Sequence, residues 1–212
     1  MDIQSSQVRR RQPAKQARSR QTRERLIGAG IRLFDTREYE DIAISELAAA
    51  AGCSVGAFYH HFADKEDYYD AVVAAQLETL WGNFEQRFRP AEMAGLPTRT
   101  VLARAVGFMR AIMSDNQSLI RISFRRSLAD EAAWMPIRGF GRTFEARLFD
   151  LLATRSQDFA VADWRQAYAV GMQIVYGTML TAILRRPGPM MIEDEQMAEV
   201  LTDMLVRQLR LR

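Results

Sequence analysis

The chain has one cysteine, two histidines, six prolines and twelve glycines in 212 residues, and each scarcity excludes something. With Cys53 alone no intramolecular disulfide can form, which fits a reducing compartment. His60 and His61 are adjacent on a helical stretch and are expected to point apart. No zinc-type Cys/His spacing accompanies them, so neither a metal nor another cofactor is expected. There is no phosphate-cradling glycine loop and no nucleophile elbow, and Gly139-Phe-Gly141 lacks the preceding strand that a dinucleotide site needs. The chain is therefore read as no enzyme; an all-helical catalyst built from scattered Asp, Glu and Arg is the alternative. No apolar run is expected to reach the length of a membrane span, and the amino terminus carries no hydrophobic leader segment. The expected location is cytoplasmic, with no membrane partner.

Positive charge is concentrated at the amino-terminal end. Residues 1–65 hold eleven Lys plus Arg against eight Asp plus Glu, an excess that equals the +3 of the whole chain. Within the first 25 residues Arg9, Arg10, Arg11, Lys15, Arg18, Arg20, Arg23 and Arg25 face only Asp2 and Glu24, with Gln, Ser and Pro between them. Such a segment buries too little apolar surface to fold alone, so residues 1–17 are expected to form a disordered basic arm leading into a helix. The arm suits phosphate contacts or a neighbouring minor groove; a solubilising tail is the plainer alternative.

Residues 52–62, Gly-Cys-Ser-Val-Gly-Ala-Phe-Tyr-His-His-Phe, read as a tight turn followed by a short exposed helix. Before them Ile44, Leu47, Ala48 and Ala51 recur at the spacing of one apolar helical face. Gly52 supplies the bend, and the Ser54 hydroxyl can cap a second helix. On that helix Val55, Phe58 and Phe62 are expected to enter a small core, leaving Gly56, Ala57, Tyr59 and His60 outward. Small residues let a backbone approach a groove, while a phenol and an imidazole can donate to phosphate oxygens or base edges. Asp64 is a natural cap for the next helix, and Lys65 beside it can reach phosphate or pair with its acidic neighbours.

Residues 20–67 resemble the DNA-binding domain of the TetR/AcrR family of bacterial transcriptional regulators. The likeness runs through Arg23-Glu-Arg-Leu-Ile-Gly-Ala-Gly-Ile-Arg-Leu-Phe34, Ile44-Ser-Glu-Leu-Ala48, Ala51-Gly-Cys-Ser-Val-Gly56, Phe58-Tyr-His-His-Phe62 and Asp64-Lys-Glu66. The resemblance implies that Tyr59, Lys65 and Ser45 hold the phosphate backbone and that His60, Gly56 and Ala57 lie in or beside the major groove. With Arg18, Arg20, Arg23 and Ser54 these make up the candidate DNA-binding set. The chain departs from the family at Glu38, where a Gly is usual, and at Ala43, where a Thr is usual. The missing Thr hydroxyl removes a helix cap worth about 1 kcal/mol, which Asp41 or Ser45 is expected to replace.

Beyond residue 67 the pattern is helical and Gly-poor, with breaks near Pro90 to Pro97, Asn116, Asp130, Ser156 to Asp163 and Pro187 to Pro189. The fold class expected is all-α: a three-helix helix-turn-helix domain over residues 18–66, then a helical effector-binding and dimerisation domain over residues 67–212. Residues 164–184 are apolar around most of the helix and residues 197–209 carry a second stripe, which suggests a homodimer on a four-helix interface. Val175, Met179, Ile183, Met197, Leu201, Met204 and Leu205 are its expected contacts. Trp81, Phe84, Phe88, Phe108, Met109, Met113, Phe124, Trp134, Phe144, Tyr168, Met172 and Tyr176 are candidates for lining a pocket for a small hydrophobic effector. Arg104, Arg110, Arg121, Arg125 or Arg126 would receive an acidic one. The function expected is a dimeric repressor released from a near-palindromic DNA operator by its effector. The alternative is a regulator that acts constitutively or through oxidation of Cys53, although Cys53 reads first as a small buried hydrophobe.

Overall fold

The computed structural model describes residues 3–37 and 39–212, with side chains described from Gln16 onward; position 38, where the family usually has glycine, lies outside the described residues. Among the described residues ten α-helices make up the fold, with no strand and only an isolated bridge between Phe159 and Leu211. The all-α expectation holds.

The chain divides into two compact units, Met1–Gln76 and Leu77–Arg212. Helix α1 (Ile3–Thr36) begins inside the stretch expected to be a disordered arm. A 3-10 turn at Tyr39–Asp41, α2 (Ile44–Ala50), α3 (Val55–His61) and the first turns of α4 (Lys65–Arg87) complete the amino-terminal unit. Its core is aromatic. Phe34 meets Tyr39 edge-on at 5.6 Å between centroids, and Tyr68 packs against Phe58 at 5.1 Å and Phe62 at 5.0 Å. Tyr68, Tyr69, Val72 and Val73 are all buried here, so the unit extends past the boundary expected at residue 66. The Tyr68 hydroxyl donates to the Leu26 carbonyl at 2.6 Å, and burial pushes the phenol well above its ordinary range. Gly30 is required for this fit: a Cβ there would lie 2.8 Å from Val72 and would collide with the Tyr68 hydroxyl.

The carboxy-terminal unit comprises the rest of α4, α5 (Pro90–Ala94), α6 (Thr98–Asp115), α7 (Gln117–Ser127), α8 (Met135–Ala153), α9 (Trp164–Arg185) and α10 (Gln196–Gln208). Pro90 starts α5 rather than merely breaking the chain, since the first helical turn needs no proline N–H. Asp163 caps α9 by accepting from the Gln166 amide at 3.0 Å. The breaks expected from proline, Asn116 and the Ser156 to Asp163 stretch thus fall between helices. One expectation fails: α9 is long and apolar enough, by length and composition, to cross a membrane. Its cations stand at its ends, Arg165 and Arg185, which leaves the middle uninterrupted. Tyr168, Met172, Val175, Met179 and Ile183 are buried in the helical core, and a Cβ at Gly171 would approach Leu205 Cδ2 of α10 to 2.5 Å.

Candidate nucleic-acid interface

The turn between α2 and α3 is built as its residue types demand. Gly52 takes φ +64°, a left-handed conformation that suits glycine, and the Cys53 amide closes the turn on the Ala48 carbonyl at 2.9 Å. Ser54 caps α3 by accepting from the Ala57 amide at 3.2 Å. Phe58 and Phe62 lock the inner face, while Gly56, Tyr59 and His60 are exposed and Ala57 is half-buried. Tyr59 is 54% exposed, which leaves its hydroxyl free to bond outward.

Val55 is a correction: it is 40% exposed rather than in the core. Its angle around the helix matches that of Phe58 and Phe62, but it sits a turn nearer the helix end, beyond the Tyr68 ring on which those two pack. It therefore joins the outward row. The histidines are a second correction. Neighbours on a helix diverge by about 100°, yet the His60 and His61 ring centroids lie 5.1 Å apart, since α3 ends at His61.

His61, Gln16, Ser19, Arg20, Arg23 and His60 line a groove of about 500 Å³. Sequence reasoning named Arg20, Arg23 and His60 but missed the other three. A signal was present: residues 16, 19, 20 and 23 follow the spacing of one helical face. Arg18, off that face, is exposed and does not line the groove. The His61 imidazole is held below its ordinary pKa, first by burial and then by the nearby charges of His60 and Arg23. Arg23 also lies over the Phe62 ring at 5.5 Å.

Lys65 is more occupied than a free phosphate contact would be. Its ammonium donates to the Tyr39 carbonyl and, at 3.4 Å, to that of Glu40, and it stands 4.3 Å over the Tyr39 ring. Burial lowers its pKa. An ammonium has three N–H donors, so one is left for phosphate. Asp64 does cap α4, accepting from the Asp67 amide at 2.7 Å.

Ala43 has no side-chain cap to offer, and neither Asp41 nor Ser45 replaces it with a side chain. Glu46 supplies only the reciprocal half of a capping box: its Oε2 accepts from the Ala43 amide at 2.8 Å, and its Oε1 takes Arg37 Nη1 at 2.5 Å. Arg37 Nη2 in turn donates to the Asp41 carbonyl at 2.9 Å. The Arg37 bond, then the Ala43 amide, hold the Glu46 carboxyl below its usual range. Ser45 itself is exposed on the first turn of α2. Cys53, expected to be buried, is half-buried.

The twelve pocket candidates do not share one site. Trp81, Phe84 and Phe88 line a cavity of about 570 Å³ with Met93, Arg147 and Leu151 among its other walls. Phe108 and Phe144 are buried behind them, while Met109, Tyr168 and Met172 belong to the closed core. Tyr168 and Tyr176 donate to the Glu145 and Gly141 carbonyls, and Phe124 pairs with Trp134 edge-on. Met113, Trp134 and Tyr176 are packed against the core from outside. The candidate arginines fare similarly. Arg110 is tied to the Ile192 carbonyl at 2.8 Å and Arg121 to that of Ile183 at 3.1 Å. Arg104 is exposed, and Arg125 and Arg126 close the last turn of α7.

The expected dimer contacts also point elsewhere. Val175, Met179, Ile183, Met197, Leu201 and Leu205 are buried inside the chain's own core, and only Met204 is partly exposed. The large apolar residues left exposed on α9 and α10 are Ile174, 44% exposed, and Val200, 41% exposed.

A family model described as bacterial regulatory proteins, tetR family, matches residues 26–72, which span this helix-turn-helix. The A-factor receptor protein of Streptomyces griseus is 40% identical over 79 residues, 37% of this chain and 28% of that protein. The HTH-type transcriptional repressor KstR2 of Rhodococcus jostii is 31% identical over 84 residues, covering 40% of this chain and 39% of that one. These matches span well under half of those relatives. Across the fold, a solved structure from Mesorhizobium loti superposes with a TM-score of 0.72 over 90% of this chain and 97% of that chain at 17% identity. The TetR-family regulator PfmR of Thermus thermophilus gives 0.56 over 86% and 97% at 21%. Residues 26–72 thus carry a helix-turn-helix of the tetR family, and the whole chain has the fold of solved structures described as TetR-family regulators.

Proposed function

We propose that the chain is a sequence-specific transcriptional regulator that binds a near-palindromic operator as a homodimer. The observation that carries this reading is the outward row of α3. A helix capped by Ser54 and fixed from below by Phe58 and Phe62 presents Val55, Gly56, Ala57, Tyr59 and His60. With Phe58 turned inward, only Val55 and the small Gly56 and Ala57 precede Tyr59 on this row, so the backbone can enter a major groove; Val55 suits a thymine methyl, and Tyr59 and His60 suit phosphates or base edges. Arg20 and Arg23 add a cationic flank for the DNA backbone, with His61 beside them as a neutral hydrogen-bonding group.

A seven-residue helix reads few base pairs, so two copies related by a two-fold axis are needed for a site of useful length. The outward Ile174 and Val200 are the residues we assign to self-association, in place of the inward set. Repression, with release by a small hydrophobic effector, is the mode of action we infer. The cavity beside Trp81 offers a place for that molecule, and the Rhodococcus relative is named a repressor. The effector would act through its different affinities for the states with and without correctly spaced recognition helices.

Selection of bound fragments from sheared genomic DNA with the purified protein tests the reading. Enrichment of a near-palindromic site is expected. A folded dimer that enriches nothing at low or moderate salt would overturn it. Removing residues 1–17 should then flatten the salt dependence of operator binding by about one unit of slope for each phosphate the arm neutralises. An unchanged slope would make the arm a passenger.

A further inference from the structure

We propose that the cavity at the end of α4 binds a small planar aromatic acid, an inference that rests on the effector reading above and gives the effector a chemistry. The floor of the cavity is a ladder of rings one helical turn apart. Trp81 stacks on Phe84 at 5.2 Å and 30°, and Phe84 on Phe88 at 4.7 Å and 20°. Phe84 and Phe88 are buried, whereas Trp81 is half-buried, so the π-surface still open on the ladder is the indole. A flat ligand ring laid on Trp81 adds one more rung in the offset geometry that aromatic quadrupoles favour; an aliphatic chain would gain burial without that geometry. Met93 and Leu151 complete an apolar wall, and a volume of about 570 Å³ suits a molecule of two or three rings.

Charge selects an acid over a base. The lining includes the guanidiniums of Arg89, Arg147 and Arg155 against the carboxylates of Glu85 and Asp150. Arg155 cannot swing away: its two terminal nitrogens donate to the Met93, Ala94 and Leu96 carbonyls, which hold the group in the wall without neutralising its formal charge. Glu85 and Asp150 are exposed, as are Arg89 and Arg147, so the fixed Arg155 sets the sign of the charge in the wall. Arg89 and Arg147 make no ion pair among the described residues, which leaves planar donor forks for a carboxylate. The fixed charge is positive, and the lining as a whole carries three cations against two anions.

Equilibrium dialysis of the full chain against three probes tests this: 2-naphthoate, decanoate, and 2-naphthylmethylammonium. Naphthoate is expected to bind about tenfold more tightly than the ammonium, the difference that a charge-assisted hydrogen bond supplies, and about threefold to tenfold more tightly than decanoate, the difference that ring stacking on Trp81 supplies. Replacing Arg89→Gln and Arg147→Gln together should weaken naphthoate about tenfold and leave the ammonium probe unweakened. Trp81→Leu should weaken naphthoate and spare decanoate; circular dichroism checks its fold, and if it does not fold, the surface arginine pair still decides. Decanoate or the ammonium binding as tightly as naphthoate would overturn the proposal, as would no naphthoate binding at millimolar concentration to a folded protein. Operator titration separates the two readings. Naphthoate that binds without changing operator affinity upholds the cavity chemistry and removes the effector role. Release of DNA by decanoate, with no naphthoate bound, does the reverse.

Discussion

Helices α3 and α9 carry the two surfaces on which the proposed function depends, and they differ in how much a linear pattern can say about direction. In α3 the bulky apolar residues are few, so once Phe58 and Phe62 are turned inward the positions of Tyr59 and His60 follow. In α9 almost every position is apolar. Periodicity there says that two faces must be covered, but it does not say which face belongs to the chain's own core. The residues that the pattern offers to a partner, Val175, Met179 and Ile183, are the inward ones, and Ile174, one position away, is outward. A helix with a narrow apolar stripe encodes its orientation, while one that is apolar all round encodes only its burial.

The strongest way to break this comparison is to mutate both faces of the α9 and α10 pair. Leu205→Ala, at a fully buried site against Gly171, should cost about 2–5 kcal/mol in denaturant unfolding. Ile174→Ser with Val200→Ser should change unfolding of the monomer by less than about 1 kcal/mol and instead weaken self-association in analytical ultracentrifugation. A Leu205→Ala chain of undiminished stability that fails to dimerise would return the interface to the inward set.

On α3 the matching test leaves the fold alone. Tyr59→Ala with His60→Ala should lower operator affinity about five- to thirtyfold, as expected for two outward side chains that together contribute about 1–2 kcal/mol, with the melting temperature unchanged. Val55→Ser sharpens the point: if the valine meets a thymine methyl, specificity should relax at one base pair, about 1 kcal/mol, and nowhere else.

Most of the helix-turn-helix was readable because its determinants are local. Gly52, Ser54 and the Phe58 and Phe62 pair each act within a turn or two of sequence. What escaped depends on residues far apart or on axial position. Lys65 is held by carbonyls 25 and 26 residues earlier, and Val55 overhangs a core whose extent no periodicity reports. The split of the pocket candidates has the same origin. Phe84 and Met172 look alike as apolar residues on long helices, and only tertiary packing puts the first at a cavity and the second in a sealed core.

A smaller effect probes the cap of α2. Ala43→Thr adds a hydroxyl at a residue already in the extended conformation of a cap, φ −77° and ψ 149°, and should stabilise the amino-terminal unit by about 0.5–1 kcal/mol. Glu46 satisfies a different amide, that of Ala43, through a carboxyl whose pKa is lowered in the fold, so its contribution is present above the ordinary carboxylate pKa and is lost as pH falls through the folded value. The gain from the Ala43→Thr substitution should therefore be about the same at pH 7 and pH 4, as read by thermal melts, while the stability of both chains falls with the protonation of Glu46. A gain that is absent at both would mean that the added hydroxyl does not reach the Glu46 amide.

The smallest effect expected is at His61, and it distinguishes the free protein from the DNA-bound one. Burial, His60 and Arg23 all disfavour the imidazolium, so the folded pKa lies below that of the unfolded chain. The unfolded state then binds more protons near pH 6, and folding stability should decline as pH falls through the unfolded pKa toward the folded one. Operator binding should run the other way. A phosphate seated in the groove formed by Arg20, Arg23, His60 and His61 favours the charged ring, so DNA affinity should rise over the same interval in which stability falls. His61→Gln should flatten both slopes while leaving the neutral-pH melting temperature nearly unchanged. Opposed slopes that both vanish in this variant would place a phosphate beside α3 and α1; a flat affinity profile in the parent protein would leave His61 as packing alone.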